Sequence, residues 1–269
     1  MVSSDKEFRA ALRDVYRDTP CQVLPNALWK TRRHIEACDT RVWAEGARIT
    51  GLLMRSPEML HVYWRRVRYS KAEIPVDWTS IDLALLHQDF VHLAPAGHFD
   101  RRTAYFRLIH RGEPAAPSVP EGFHVADVRP ALEAEAAAAL IDACYPSISP
   151  TVDDVRGWTD HPVFDPALWV WIKDTETGDP AALGIAEFDP AVREGSLEWI
   201  QVLPRYQRRG LGTTLVRELL TRLDSRADFT TVGGRLDSGS DPEALYRRCG
   251  FTGEDVWWVL ARLLPAAGG

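Results

Sequence analysis

The stretch YQRRGLGTTLV, residues 206–216, places two glycines and a basic pair at the mouth of a helix. It follows directly on the strand-like LEWIQVLP of residues 197–204. Glycine inside a helix costs roughly 0.5–1 kcal/mol relative to alanine, so this pair needs a reason. Leu211, Leu215, Leu219 and Leu223 recur every four residues and give the helix one apolar face to lay on a sheet. Docked that way, its N-terminus is held against the end of the preceding strand. Helix N-termini carry N–H groups without acceptors and the positive end of the macrodipole, which together attract anions. Gly210 and Gly212 have no Cβ to keep a phosphate from those N–H groups, and Arg208 and Arg209 add charge beside them. The arrangement points to a pyrophosphate. No G-K-[ST] follows, against a Walker loop, and the strand before it reads as part of a meander, against a dinucleotide fingerprint. The competing reading is a tight strand-to-helix turn with solvated arginines.

The rest of the chain bounds what such a site can serve. Its 269 residues suit one large domain or two smaller ones, and 45% hydrophobic with 26% charged residues is ordinary globular composition. A net charge of -6 argues against nucleic acid as the general partner. The charge is uneven: residues 1–119 carry 18 Lys+Arg against 14 Asp+Glu, or +4, and the remainder 14 against 24, or -10. An acidic C-terminal half favours a cationic amine substrate. Four scattered cysteines without a C-x-x-C pair, no apolar signal core and no 18-residue apolar run predict a cytoplasmic protein without disulfides or membrane spans.

Residues 111–122, RGEPAAPSVPEG, hold three prolines and read as a linker, dividing the chain into domains 1–118 and 119–269. Before it, a helix is expected near residues 5–18. Strands are expected at TRVWAEG, RITGLLMRS, MLHVYWRRV and TAYFRLIHR, with a hairpin turning at Ser56-Pro57. After the linker the pattern reads β-α-α-β-β-β-α-β-α-β, from FHVADVRP to VWWVLARL, with a helix N-cap at Thr151. The fold class is α+β with a mixed sheet.

The C-terminal half resembles the GNAT superfamily of acyl-CoA-dependent N-acyltransferases. The resemblance rests on Gln207-Arg208-Arg209-Gly210-Leu211-Gly212, on Val202-Leu203-Pro204 before it, and on Tyr246 followed by Gly250-Phe251. With the element order, it covers about residues 121–264. It implies a GNAT-like fold there and acetyl-CoA as co-substrate. It also implies that Gln207, Arg208, Arg209, Gly210, Leu211, Gly212 and Thr213 hold the pyrophosphate. An N–H near Val202 or Leu203 is implied to polarise the acetyl carbonyl. One departure is Gly239, which stands where relatives often carry an asparagine. The N-terminal half lacks a second Gly-x-Gly loop and reads as a smaller α+β domain or a degenerate copy of the same fold.

Tyr246 matches the position of a general acid toward the departing thiolate, the alternative being a packed helix aromatic. Its helix is expected to start at a Ser240–Glu243 capping box or at Asp241-Pro242, and to stop at Gly250. Strict alternation places Ser196, Glu198, Ile200 and Val202 on one strand face, which makes Glu198 the candidate base or a structural ion-pair partner. Trp169, Trp171, Glu187 and Trp199 line an acceptor pocket or pack the core. His87, His92 and His98 have no metal-ligand spacing, so no metal is expected. The expected activity is acetyl transfer to a primary amine of a small molecule or peptide, by direct attack. No nucleic-acid or membrane partner is expected, and a homodimer is compatible with the sequence. The alternative is a non-catalytic acyl-CoA sensor.

Overall fold

A serine ahead of an amphipathic run opens the first helix. Ser4 Oγ accepts the Glu7 N–H at 3.3 Å, and α1 (Asp5–Asp18) buries Phe8, Leu12, Val15 and Tyr16 along one side. The computed structural model describes residues 3–66, 73–145, 148–237 and 241–263. The chain divides into two compact units, one of residues 1–108, 233–240 and 253–269, the other of residues 109–232 and 241–252.

In the first unit α1 leads to two short helices, α2 (Pro20–Val23) and α3 (Leu28–Arg32). Neither has enough turns to show helical periodicity, and the sequence reading did not foresee them. β1 (Asp39–Glu45), β2 (Arg48–Arg55) and β3 (Met59–Arg65) form an antiparallel meander that contains the expected hairpin. Its second turn closes where Ser56 N–H donates to Met59 O at 2.9 Å. β4 (Leu83–His87) runs parallel to β3 and was also not foreseen, because five mostly apolar residues carry no alternation. β5 (Arg101–His110) follows.

From residue 123 onward the elements keep the expected order. β6 (Phe123–Asp127), α4 (Pro130–Cys144) and α5 (Val152–Gly157) come first. Thr151 caps α5 in a reciprocal capping box with Asp154. β7 (Trp169–Asp174), β8 (Pro180–Asp189) and β9 (Glu194–Val202) pair antiparallel in sequence order with β6. α6 (Leu211–Leu223) then leads to β10 (Phe229–Arg235), α7 (Pro242–Arg248) and β11 (Thr252–Ala261). The two faces of the sheet are covered differently. α6 lays Leu215 and Leu219 over Gly184 and Leu223 over Gly195, where a Cβ would meet Leu219 at 3.0 Å and Leu223 at 2.7 Å. On the other face α4 and α5 close a core with Trp169, Trp171, Leu183 and Ile185.

β11 is counted in the first unit, paired antiparallel with β4 so that Trp257 stands opposite His87. The sequence expectation was a single passage between domains at residue 119. The compact units place β11 with residues 1–108, where its ladder partner is β4.

Candidate active site

The glycine loop is shaped by two left-handed residues. Arg208 has φ 64° and Gly210 φ 87°, and Gly210 is the N-cap of α6. The first helical bond runs from Thr214 N to Gly210 O at 3.1 Å, so the N–H groups of Leu211, Gly212 and Thr213 stand ahead of it. A Cβ on Gly210 would meet only Pro120 at 3.6 Å, so its backbone angle, rather than space, demands glycine. Gly212 is different: a Cβ there would press on Leu245 of α7 at 3.2 Å, with Val202 at 3.8 Å. Its absence lets α6, α7 and the end of β9 meet closely. Arg208 and Arg209 are exposed, and the Arg209 guanidinium lies over the Tyr206 ring at 5.6 Å and the Phe123 ring at 6.0 Å. Gln207 turns back and donates from Nε2 to Val202 O at 3.2 Å.

The strand that feeds this loop leaves its neighbour. β10 pairs with β9 in parallel only from Phe229 opposite Glu194 to Val232 opposite Leu197, and β9 runs on to Val202. On its other edge β9 stays bonded to β8, and Leu203 N–H donates to Ala181 O at 3.0 Å. The N–H groups of an antiparallel strand alternate between edges, so those of Ile200 and Val202 face the gap left by β10. Of the two residues named from sequence, Leu203 has its N–H committed to β8, while the Val202 N–H faces the gap. Ile200 joins Val202 and was not singled out from sequence.

A bulge corrects the expected strand faces. Ile185 stands opposite Trp199 and Ala186 opposite Leu197, so Glu198 is an extra residue on β9. Strict alternation therefore fails at Glu198. Ser196, opposite Glu187, shares a face with Trp199, while Val202 lies on the opposite face toward Gly212. Ser196, Glu198, Ile200 and Val202 do not form one row.

Tyr246 sits on α7, whose N-cap is Asp241: its carboxylate accepts the Ala244 N–H at 3.1 Å with Pro242 at the first helical position. Ser240, Ser238 and Gly239 lie outside the described residues. Tyr246 is 7% exposed. Burial drives its phenol well above the ordinary range, and the nearby Tyr145, Cys249 and Glu198 push the same way. Glu198 and Tyr246 are thus brought within electrostatic reach of each other. Tyr145, at the end of α4, is held edge-on against Trp199 with ring centroids 6.3 Å apart. Trp199 stacks on Trp158 at 5.2 Å and 17°.

This geometry has counterparts among known proteins. The pattern of the Acetyltransferase (GNAT) family matches residues 134–251. The C-terminal half belongs to the GNAT superfamily. Among solved structures, a GCN5-related N-acetyltransferase from Sphaerobacter thermophilus is 15% identical, with 96% of this chain and 93% of that one covered and a TM-score of 0.66. A GNAT-family acetyltransferase from Colwellia psychrerythraea is 10% identical over 98% and 99%, with a TM-score of 0.64. A tandem GNAT protein from the clavulanic acid biosynthesis pathway is 14% identical over 99% and 98%, with a TM-score of 0.57. At these identities the likeness is one of fold, and it spans nearly the whole chain. No curated protein matches the sequence.

Within the GNAT domain the remaining candidates separate by burial. Trp169 and Trp171 are core, at 1% and 0% exposure. Glu187 is buried and bonded to His161 Nδ1 at 2.9 Å. Trp199 is half-buried, and its partner Trp158, from the short turn after α5, escaped the sequence reading. Of the three candidate histidines of the first unit, two have structural partners: His87 Nε2 lies 3.0 Å from Asp255, and His98 Nε2 donates to Ile81 O at 2.9 Å. Among the described residues no helix is long and apolar enough to cross a membrane.

Proposed function

We propose that the protein is an acetyl-CoA-dependent N-acetyltransferase that acetylates a primary amine of a small molecule or peptide by direct attack. The observation that carries this reading is the gap between β9 and β10. It leaves the N–H groups of Ile200 and Val202 facing away from β8 and past the last β10 pair, at the strand end that leads into the glycine loop. The residues suit a pyrophosphate, since a left-handed Gly210 opens α6, three N–H groups precede its first bond, and Arg208 and Arg209 are exposed beside them. Acetyl-CoA, when bound, supplies the thioester.

Each residue then has a task. The N–H groups of Ile200 and Val202 are donors for the charge that grows on a carbonyl oxygen during attack. Glu198, displaced from the ladder by its bulge, receives the amine's proton directly or through water. Tyr246 donates a hydrogen bond to the departing sulfur. Its burial makes the phenolate costly, so it serves as a donor that keeps its proton.

The first unit repeats part of the second: helices, a three-stranded antiparallel meander, then a strand parallel to the third. This supports reading it as a degenerate copy of the same fold, in which the segment between β3 and β4 carries no Gly-x-Gly pair.

The test is release of free CoA thiol from acetyl-CoA in the presence of a panel of primary amines, expected only when a suitable amine is added. Calorimetric binding of acetyl-CoA without amine-dependent thiol release across the panel would instead establish the acyl-CoA sensor.

A further inference from the structure

Gln201 has a buried side chain that the folded chain does not explain. It is 3% exposed, and neither Nε2 nor Oε1 makes a hydrogen bond of normal geometry. Its amide leans on the Tyr145 hydroxyl, easing ionisation of that phenol against the opposing effect of burial. Native proteins rarely bury an amide with both halves unsatisfied, so such a group calls for a partner, whether water, ion or ligand. Leucine or methionine would fill the same volume without that cost.

The surroundings say what would complete it. Gln201 lies two residues from Trp199 on the face of β9 that packs against α4, past the last pair with β10. Trp199 and Trp158 form a parallel stack, with Tyr145 edge-on to it, and all three are partly exposed. Glu198 stands next to Trp199 in the bulge. The cluster therefore offers a flat apolar wall, a carboxylate, and an amide–phenol pair with donor and acceptor capacity. None of these five side chains is cationic, so a carboxylate on the ligand would find no counter-charge among them.

Resting on the acetyltransferase reading above, we propose that Gln201 and Tyr145 select the acceptor. The acceptor is an amine with a planar apolar body and an uncharged group that both donates and accepts a hydrogen bond, a hydroxyl or a carboxamide. The ammonium faces Glu198, the body lies along Trp158 and Trp199, and the neutral group meets the Tyr145 hydroxyl that Gln201 positions.

Matched amines test this: 2-phenylethylamine against its ring-hydroxyl and α-carboxamide counterparts, tyramine and phenylalaninamide. Thiol release is followed with the wild-type protein and with Gln201→Leu and Gln201→Met. The wild-type kcat/KM is expected to favour at least one polar member over 2-phenylethylamine by about 10–100-fold. In both variants that ratio should fall to within a few-fold of one, with KM for acetyl-CoA unchanged. Their thermal midpoints without ligand should equal or exceed that of the wild type, because an unsatisfied amide has been removed. A purely structural Gln201 would instead lower the midpoint and leave the ratio alone, which overturns the proposal. Wild-type turnover without any preference overturns it while leaving acetyl transfer standing. Absence of thiol release with any amine overturns both.

Discussion

At Tyr246, position and burial pull the chemistry in different directions. The sequence resemblance points to this tyrosine, yet the phenol is almost sealed, and burial, Tyr145, Cys249 and Glu198 all oppose its ionisation. A hydrogen-bond donor that never loses its proton should matter equally at all pH values. Tyr246→Phe is therefore expected to lower kcat by about 10²-fold, the lower end for such groups, with KM for acetyl-CoA nearly constant and the loss level from pH 6 to 9. A loss that grows or shrinks tenfold across that range would show a titrating acid instead. His61 offers a pH dependence of stability. Burial, and secondarily the neighbouring His34 stacked on it at 5.6 Å, depress it from 6.5 to about 4. The unfolded chain takes up the proton below about 6.5 while the folded ring resists until about 4, so stability present above 6.5 is lost as pH falls through that window. The thermal midpoint should drop on going from pH 7 to 5, and His61→Gln should flatten that drop by a few degrees. Identical slopes in scanning calorimetry would rule the residue out. Tyr246 stands out in the sequence because a motif surrounds it. Gln201 and Tyr145 do not, since no local pattern reports that an amide is buried without a partner.

Among the elements, the helices and the long strands were legible because periodicity and caps are local properties. α1 has the residues expected of it, and Thr151 caps α5 as read. The bulge at Glu198 was not legible, since it exists only in the pairing of β9 with β8, and one extra residue reverses the faces beyond it. β4 was missed for a related reason: a short buried strand alternates too little to be distinguished from a loop. The two glycines of the loop also have separate duties at this scale. Gly210→Ala makes only an ordinary contact with Pro120 but forces a side chain into a left-handed angle, so it should cost about 1 kcal/mol of stability and leave α7 in place. Gly212→Val drives a branched side chain into Leu245, and should displace the helix that carries Tyr246. Near-ultraviolet circular dichroism and acetyl-CoA calorimetry separate the two. Gly212→Val should change both signals, whereas Gly210→Ala should keep the native aromatic spectrum. An unaltered spectrum in Gly212→Val would contradict the Leu245 contact.

For the whole molecule, the proline-rich segment 111–122 looked like a boundary because composition marks it as unable to form a helix or strand. It forms neither, but it is held: Thr214 Oγ1 donates to Ser118 O at 2.7 Å, Pro120 lies against Gly210, and Arg111 covers the Phe229 ring at 5.0 Å. Pairing across long sequence separations is what composition does not reveal, and β11 depends on it. Its ladder partner is β4, and Trp257 Nε1 donates to Cys21 O at 2.7 Å near the start of the chain. A chain cut within 111–122 therefore leaves a first fragment lacking a strand that its own unit requires, and a second fragment whose last strand has lost both contacts. Limited proteolysis should be slow in this segment and should accelerate in Thr214→Val, where the clamp on Ser118 is gone. After cleavage the two pieces should elute together in native size-exclusion chromatography and separate only in denaturant. The separate fragment 119–269, expressed alone, should show exposed tryptophan fluorescence from Trp257, which is 1% exposed in the intact protein. Native separation of the cleaved pieces, each with a cooperative melting transition of its own, would mean that β11 does not need β4 and that the chain does divide once at the prolines.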